Sequence, residues 1–507
     1  MKGIPATVGN PAQNIVVLPW AELNNTWLYD ENDYCDPTVI FTDTICQVRR
    51  GNFFLEDDST SFDQAADVLA AGGASLETDD TGAETGIKDL ISSSLGGKDT
   101  LNLGTNMTLS AFPFGIPRFG WDGGYTTLHA LGLGPNSTLL NHLVEKGRIG
   151  SRTWSIFWGR MWANNDPMDG SIVFGGYDEK KILGNNYTKQ LDFGSSGCWT
   201  GMKVSITDIT LNFVDGSEQS IMSPNSAVPV CIVPQRQLLF ESPATVYDSF
   251  ENATQTSNIG VSFGLHWSAR LFEESSAFDG DITFQLDSSL EIRVPNDQYV
   301  VPFVEIAGNG SRIFNESRRE VLISTIADQP ATLGRYFLTA AYLMINQDAN
   351  TFTLWQANSD SSTELVPVMS ESVLSSCDNA TASNQSSTTP EAGTSLKETS
   401  NKLSGAAIGG TVVGVLVGIA AFAILIYFFI YKPKHQRNEP PMSNSYSNSD
   451  PGVALSPMLP EAVAAGRGNY RYHTAPYKAE GSYEVDGSNH NSWRRKDSHN
   501  NIHELAG

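Results

Sequence analysis

An all-β chain folded as two similar lobes is what this sequence predicts, and three observations carry the prediction. Gly and Pro are frequent, 45 and 24 of 507 residues, and they punctuate short apolar runs as turns punctuate strands. Each half holds an apolar strand running into a turn, at 16–20 and at 231–234. Each half later holds an apolar-apolar-Gly triplet or its near match, Ala130-Leu131-Gly132 and Thr332-Leu333-Gly334. The same pattern met twice in the same order implies a pseudo-twofold body with a cleft between its lobes.

Residues 1–193 read as the first lobe. Val8-Gly9-Asn10-Pro11-Ala12-Gln13 is a turn, 16–20 a buried strand, and Trp27 ends a second turn. Residues 65–71 suit a short helical turn, 101–112 a strand, and 128–134 an apolar strand ending in glycines. Residues 137–146 read as a helix, with Leu139, Leu140 and Leu143 on one face at helical spacing. Segments 153–158 and 170–177 read as strands, the latter closing on Gly175-Gly176 and Asp178. The second lobe spans 194–372. It has strands over 204–214 and 228–233, a short helix over 243–250 and a hairpin of 282–286 with 290–294. The triplet at 332–334 follows, and strands 337–346 and 351–356 close the lobe around Asp348-Ala349-Asn350.

Beyond the lobes the composition changes. Residues 373–403 are rich in Ser, Thr and Asn and read as a stalk. The region 404–431 contains 26 consecutive residues without a charge, 406–431, enough to span a bilayer. Lys432, Lys434, His435 and Arg437 follow at once, which places the C-terminus in the cytoplasm. Residues 432–507 are polar and weakly apolar, hence an expected disordered cytoplasmic tail. Nine Asn-x-Ser/Thr sequons (Asn24, Asn106, Asn136, Asn186, Asn252, Asn309, Asn315, Asn379 and Asn384) all precede the span, and the tail has none. That asymmetry predicts a type I glycoprotein of the plasma membrane or a secretory-pathway membrane. Gly410, Gly414 and Gly418 recur on one helix face and offer a homodimer contact. Residues 1–5 hold no apolar leader core, so the expectation is a chain lacking its true start and signal peptide.

The net charge is −24, and the tail holds 9 Lys/Arg against 8 Asp/Glu, so the ectodomain carries essentially all of it. That argues against a nucleic-acid partner and is compatible with an acidic or wall-facing compartment. Of five cysteines, Cys35 and Cys46 bracket a short loop and are an expected disulfide, while the pairing of Cys198, Cys231 and Cys377 stays open. No CxxC pair exists, so neither a metal nor a cofactor is expected. Gly96-Gly97-Lys98-Asp99 lacks the spacing of a phosphate-binding loop. The lobes hold only His129, His142 and His266, without the Gly-x-Ser-x-Gly of a serine hydrolase. His129, beside an apolar strand, reads as a packed core histidine.

Over residues 8–360 the ordered set of Val8-Gly9-Asn10-Pro11-Ala12-Gln13, Ala130-Leu131-Gly132-Leu133-Gly134, Val173-Phe174-Gly175-Gly176-Tyr177-Asp178 and Thr332-Leu333-Gly334 with Phe337-Leu338 resembles the pepsin-like aspartic proteases. The stalk, span and tail resemble the membrane-anchored members found in fungi. The resemblance implies the bilobal pepsin-like fold and a mechanism resting on two facing carboxylates that share a proton. Counting forward from Gln13, or back from Trp27, puts the first acid position on Trp20; counting back from Pro243 puts the second on Pro234. The family's flap tyrosine falls near Asp79, and the Asp usual after the last Leu-Gly is Arg335. No catalytic residue is therefore expected. Trp20, Glu22, Asp79, Pro234 and Arg236 are the candidate cleft residues, with Glu22 and Arg236 expected as an interlobe ion pair. The leading reading is a non-catalytic ectodomain binding peptide or a cell-wall ligand in the cleft. The alternatives are an active aspartic endopeptidase using non-standard acids and a surface sensor signalling through its tail.

Overall fold

The computed structural model describes residues 2–31, 42–75, 94–104, 107–117, 128–162, 167–194, 197–287, 289–326, 330–371 and, by backbone alone, 502–504. The stalk, the apolar run 406–431 with its glycines, Cys35, Cys377, Asp79, Asn106, Asn379 and Asn384 lie outside the described residues. Among the described residues no helix is long and apolar enough to cross a membrane.

The first lobe is built on a sheet ordered Asp63–Ala65, Leu95–Asn102, Ile4–Val8, Gln13–Trp20, His129–Gly132, with Thr108–Ile116 paired to Leu95–Asn102. The expected strand over 101–112 is thus two strands of a hairpin, broken where Gly104 takes a positive φ. The second lobe repeats the plan. In its largest sheet Lys203–Phe213 lies beside Val228–Ile232, and Ala331–Leu333 separates that strand from Phe240–Ser242. The helix expected over 137–146 is Thr138–Glu145, started by Ser137, whose hydroxyl accepts from the Leu140 amide. Such a cap satisfies a donor that the first helical turn leaves unpaired.

A third sheet joins the halves. Ile182–Gln190, Thr351–Ala357, Ala341–Asn346, Thr153–Phe157 and Ser171–Phe174 are neighbours in that order. The boundary at 193/194 therefore divides the sequence but not this sheet, which takes strands from both sides of it. Ile502–Glu504 extends the sheet, pairing in parallel with Ser171–Phe174. At those three residues the expectation of an unstructured tail is corrected, because an open sheet edge is a template for any extended segment.

One helix was missed by sequence reading. Asp43–Arg50, here α1, is capped by the Thr42 side chain at Ile45 N and ends on Gly51 at φ 75°. Asp43 in its first turn and Arg49 and Arg50 in its last suit the helix dipole. Thr42 and Gly51 were the legible start and stop signals.

The cysteine question closes in part. Cys198 and Cys231 form a disulfide with Cα atoms 5.4 Å apart across 33 residues. It ties the opening of the second lobe to the strand that feeds the interlobe floor. Cys46 is also disulfide-bonded, to a partner outside the described residues. Closing a loop of that length restricts the unfolded chain by about 3–4 kcal/mol. Urea unfolding of Cys198→Ser/Cys231→Ser is expected to show a loss of that order. A loss under about 1 kcal/mol would contradict the loop-closure account.

Candidate functional site: the interlobe floor

The floor is where the two strand-to-turn units meet. In the first lobe Gln13–Trp20 runs parallel to His129–Gly132, with Trp20 paired to Gly132. In the second, Val228–Ile232 runs parallel to Ala331–Leu333, with Ile232 paired to Leu333 and Val233 N donating to Leu333 O at 2.9 Å. The two glycines mark equivalent places. A Cβ on Gly132 would stand 2.3 Å from the Asn25 carbonyl oxygen, and one on Gly334 2.2 Å from that of Leu238. Only glycine lets a carbonyl come so close.

This equivalence corrects the sequence count. Asn25 lies five residues beyond Trp20, and Leu238 five beyond Val233. The counterpart of Trp20 is therefore Val233, and Pro234 is the counterpart of Ala21. The miscount has a physical cause. Trp27 bridges Ala130, whereas Glu241 pairs with Thr332, its equivalent neighbour, so the second turn carries one extra residue. Counting back from Pro243 crosses it. The correction leaves the chemistry unchanged, since neither Val nor Pro carries an exchangeable side-chain proton.

The same shift makes Glu22 and Gln235 the symmetric pair, and the structure joins them. Gln235 Nε2 donates to Glu22 Oε1 at 2.9 Å, and Trp20 Nε1 donates to the same oxygen at 3.0 Å. Trp20 and Gln235 are fully buried, and Glu22 nearly so. A carboxylate only accepts, which fixes the orientation of the Gln235 amide. Its Oε1 is left buried without a partner.

Among the described residues no ion pair joins Glu22 to Arg236; the contact here is the hydrogen bond from Gln235 to Glu22. Arg236 has a partner within its own lobe. Its Nη1 is 3.5 Å from Glu241 Oε2, which also accepts from Thr332 Oγ1 at 2.7 Å. Gln235 was missed because it was counted one position early; its signal was the distance from Leu238-Leu239. Arg335, after the last Leu-Gly, is buried with its guanidinium 5.3 Å over the Trp158 ring, and its Nη1 reaches Gln235 O at 3.4 Å. Burial lowers its pKa to about 10, so it stays a cation at neutral pH.

Trp20 packs its indole with Leu23, Trp27, Tyr29, Val68 and Ala130. Next to it, His129 is fully buried and doubly bonded: Tyr29 N donates to Nδ1 at 2.9 Å, and Nε2 stands 2.9 Å from Asn52 O. Those partners fix a neutral ring with its proton on Nε2. Burial pulls its pKa down to about 3, the nearby Arg50 charge adding to the shift and the Asn52 bond opposing it. His129 is the packed core histidine that the sequence suggested. Among the described residues no His/Cys/Asp/Glu group could hold a metal ion.

Among the described residues, the two symmetric positions that meet at the floor hold one carboxylate, Glu22, and one amide, Gln235. That amide cannot share a proton.

The fold and floor define a pseudo-twofold, mostly-β body of two lobes. Residues 122–357 match the family model described as eukaryotic aspartyl protease. Among solved structures, the aspartic proteinase from Irpex lacteus is similar at 14% identity over 70% of this chain and 93% of that one, with a TM-score of 0.44. No curated protein matches the sequence.

Proposed function

We propose that this is the non-catalytic aspartic-protease-like ectodomain of a single-span, type I membrane glycoprotein. The observation that carries the first half is the floor: Trp20 and Val233 stand at the two acid positions, and the carboxylate of Glu22 is bonded by Trp20 and Gln235. The floor residues are buried, which favours a junction that holds the lobes over a surface that reads a ligand. A peptide or wall ligand would bind outside the floor.

The span rests on sequence: the apolar run, its basic flank and the one-sided sequons. It competes with the pairing of Ile502–Glu504 to Ser171–Phe174, which puts the C-terminus on the ectodomain's side. Magnitudes decide. Leaving about a dozen large apolar side chains in water costs on the order of tens of kcal/mol. A three-residue edge pairing contributes roughly 1 kcal/mol per hydrogen bond. A C-terminal epitope is expected to stain only in permeabilised cells; staining of intact cells would reverse the assignment.

Activity is tested directly. Purified protein is expected to cleave no denatured-protein substrate between pH 3 and 7 above a blank treated with a transition-state-mimicking inhibitor. Cleavage that this inhibitor blocks and that Glu22→Gln abolishes would establish the alternative, an endopeptidase with non-standard acids.

A further inference from the structure

A further contact between the lobes lies beside the floor, and α1 makes it. Arg49 Nη2 donates to Phe263 O at 2.9 Å and to Gly264 O at 2.7 Å, both in the second lobe. The guanidinium lies 4.9 Å over the Trp267 ring, and Arg49 itself is buried. Cys46, on the same helix, packs against Trp267. A Cβ on Gly310 would come within 3.0 Å of Val48 Cγ2 and 3.2 Å of Thr44 Cγ2, so the second lobe's 308–311 turn also rests on α1.

The floor grips the same segment from its other side. Gln237, two residues beyond Gln235, donates from Nε2 to Trp267 O at 2.7 Å. Behind the segment a buried chain holds it in shape. Gly264 N donates to Ser262 Oγ at 2.9 Å, and Ser262 Oγ donates to Glu320 Oε1. His266 bridges Glu320 Oε2 at 2.5 Å and Tyr336 OH at 2.6 Å. Tyr336 adjoins Arg335, which returns to Gln235 O. Residues 262–267 are thus a preformed receptor of two adjacent carbonyls and an indole face. A planar guanidinium fits that geometry and a point-charge ammonium does not.

We propose that α1 is a clasp: its Arg49 occupies this receptor as an intramolecular ligand and holds the lobes together over the Glu22–Gln235 floor. Releasing it lets the lobes part and exposes the floor turns to solvent. The inference stands whether or not the floor is catalytic.

Amide hydrogen exchange on the full chain in detergent tests it. In Arg49→Ala the floor amides of Arg236, Gly334 and Arg335, now bonded to Val233 O, Leu239 O and Arg236 O, are expected to exchange at least tenfold faster, together with those of 263–267. The Leu103 and Ile221 amides, bonded to Met107 O and Ile209 O outside the floor turns, are expected to keep their rates. Arg49→Lys, which keeps the charge and loses the planar fork, should fall between the two. Unchanged floor exchange would overturn the clasp, and so would an equal rise at Leu103 and Ile221, which is general destabilisation.

Discussion

Putting Asp at both acid positions, Trp20→Asp with Val233→Asp, is expected to give a protein that fails to fold rather than one that cleaves peptides. Trp20 is fully buried among Leu23, Trp27, Tyr29, Val68 and Ala130. Removing a buried indole typically costs about 3–5 kcal/mol. The new carboxylate would take its place in that apolar pocket, near Glu22 and without the Trp20 Nε1 bond that Glu22 now accepts. Burying an unpaired charge adds several kcal/mol or forces the group neutral. The sum for Trp20→Asp alone is on the order of 5 kcal/mol or more, comparable to the whole stability of many domains. Trp20→Phe keeps most of the volume and loses one hydrogen bond, so it should fold and cost about 1–2 kcal/mol. Urea unfolding ranks the variants. A folded double variant with inhibitor-sensitive cleavage would show that the site lost only its acids. The expected result would follow from a pocket that is packed as core.

That packing bears on how far the sequence could be read. The repeat was legible because strand patterns and the glycines at 132 and 334 are local. A carbonyl that approaches within 2.3 Å of a Cβ position leaves glycine as the residue that fits. That no acid stands at 20, 233 or 234 was legible for the same reason. The partner of Glu22 was not, because it depends on register across the lobes. One extra residue in the second turn moved the count from Val233 to Pro234 and hid Gln235 behind Arg236. The Cys198–Cys231 bond was illegible for a related reason: its half-cystines are 33 residues apart in sequence, and no spacing rule selects among three cysteines. α1 was passed over because its apolar content is slight, though Thr42 and Gly51 announced both its ends. What stayed hidden in each case was a pairing at long range.

Acid is expected to destabilise this domain through one buried ring. An unfolded histidine ionises near its ordinary value of 6.5, while His129 in the fold is held down to about 3. Between those two values the unfolded chain binds one proton more than the folded one. Stability is therefore intact above about pH 6.5 and is lost as the pH falls toward 3, at about 1.4 kcal/mol per pH unit. At pH 4.5 the loss from this group is about 2.7 kcal/mol. The cause is geometric: the Nε2 proton is directed at Asn52 O, and Nδ1 accepts from Tyr29 N. A second proton on Nδ1 would break the Tyr29 bond and charge a site walled by core and faced by Arg50. His129→Gln keeps an acceptor and a donor on a neutral side chain, so it should cost stability at pH 7 yet flatten the acid limb. Unfolding free energies at pH 7.0 and 4.5 check it: the drop in the wild type should exceed the drop in the variant by about 2.7 kcal/mol. Equal drops would mean that carboxylates alone set the acid response. The charge of about −25 before residue 432 is compatible with an acidic compartment, but surface charge governs solubility more than fold stability. A buried neutral histidine acts on the fold directly. It favours near-neutral surroundings for this domain.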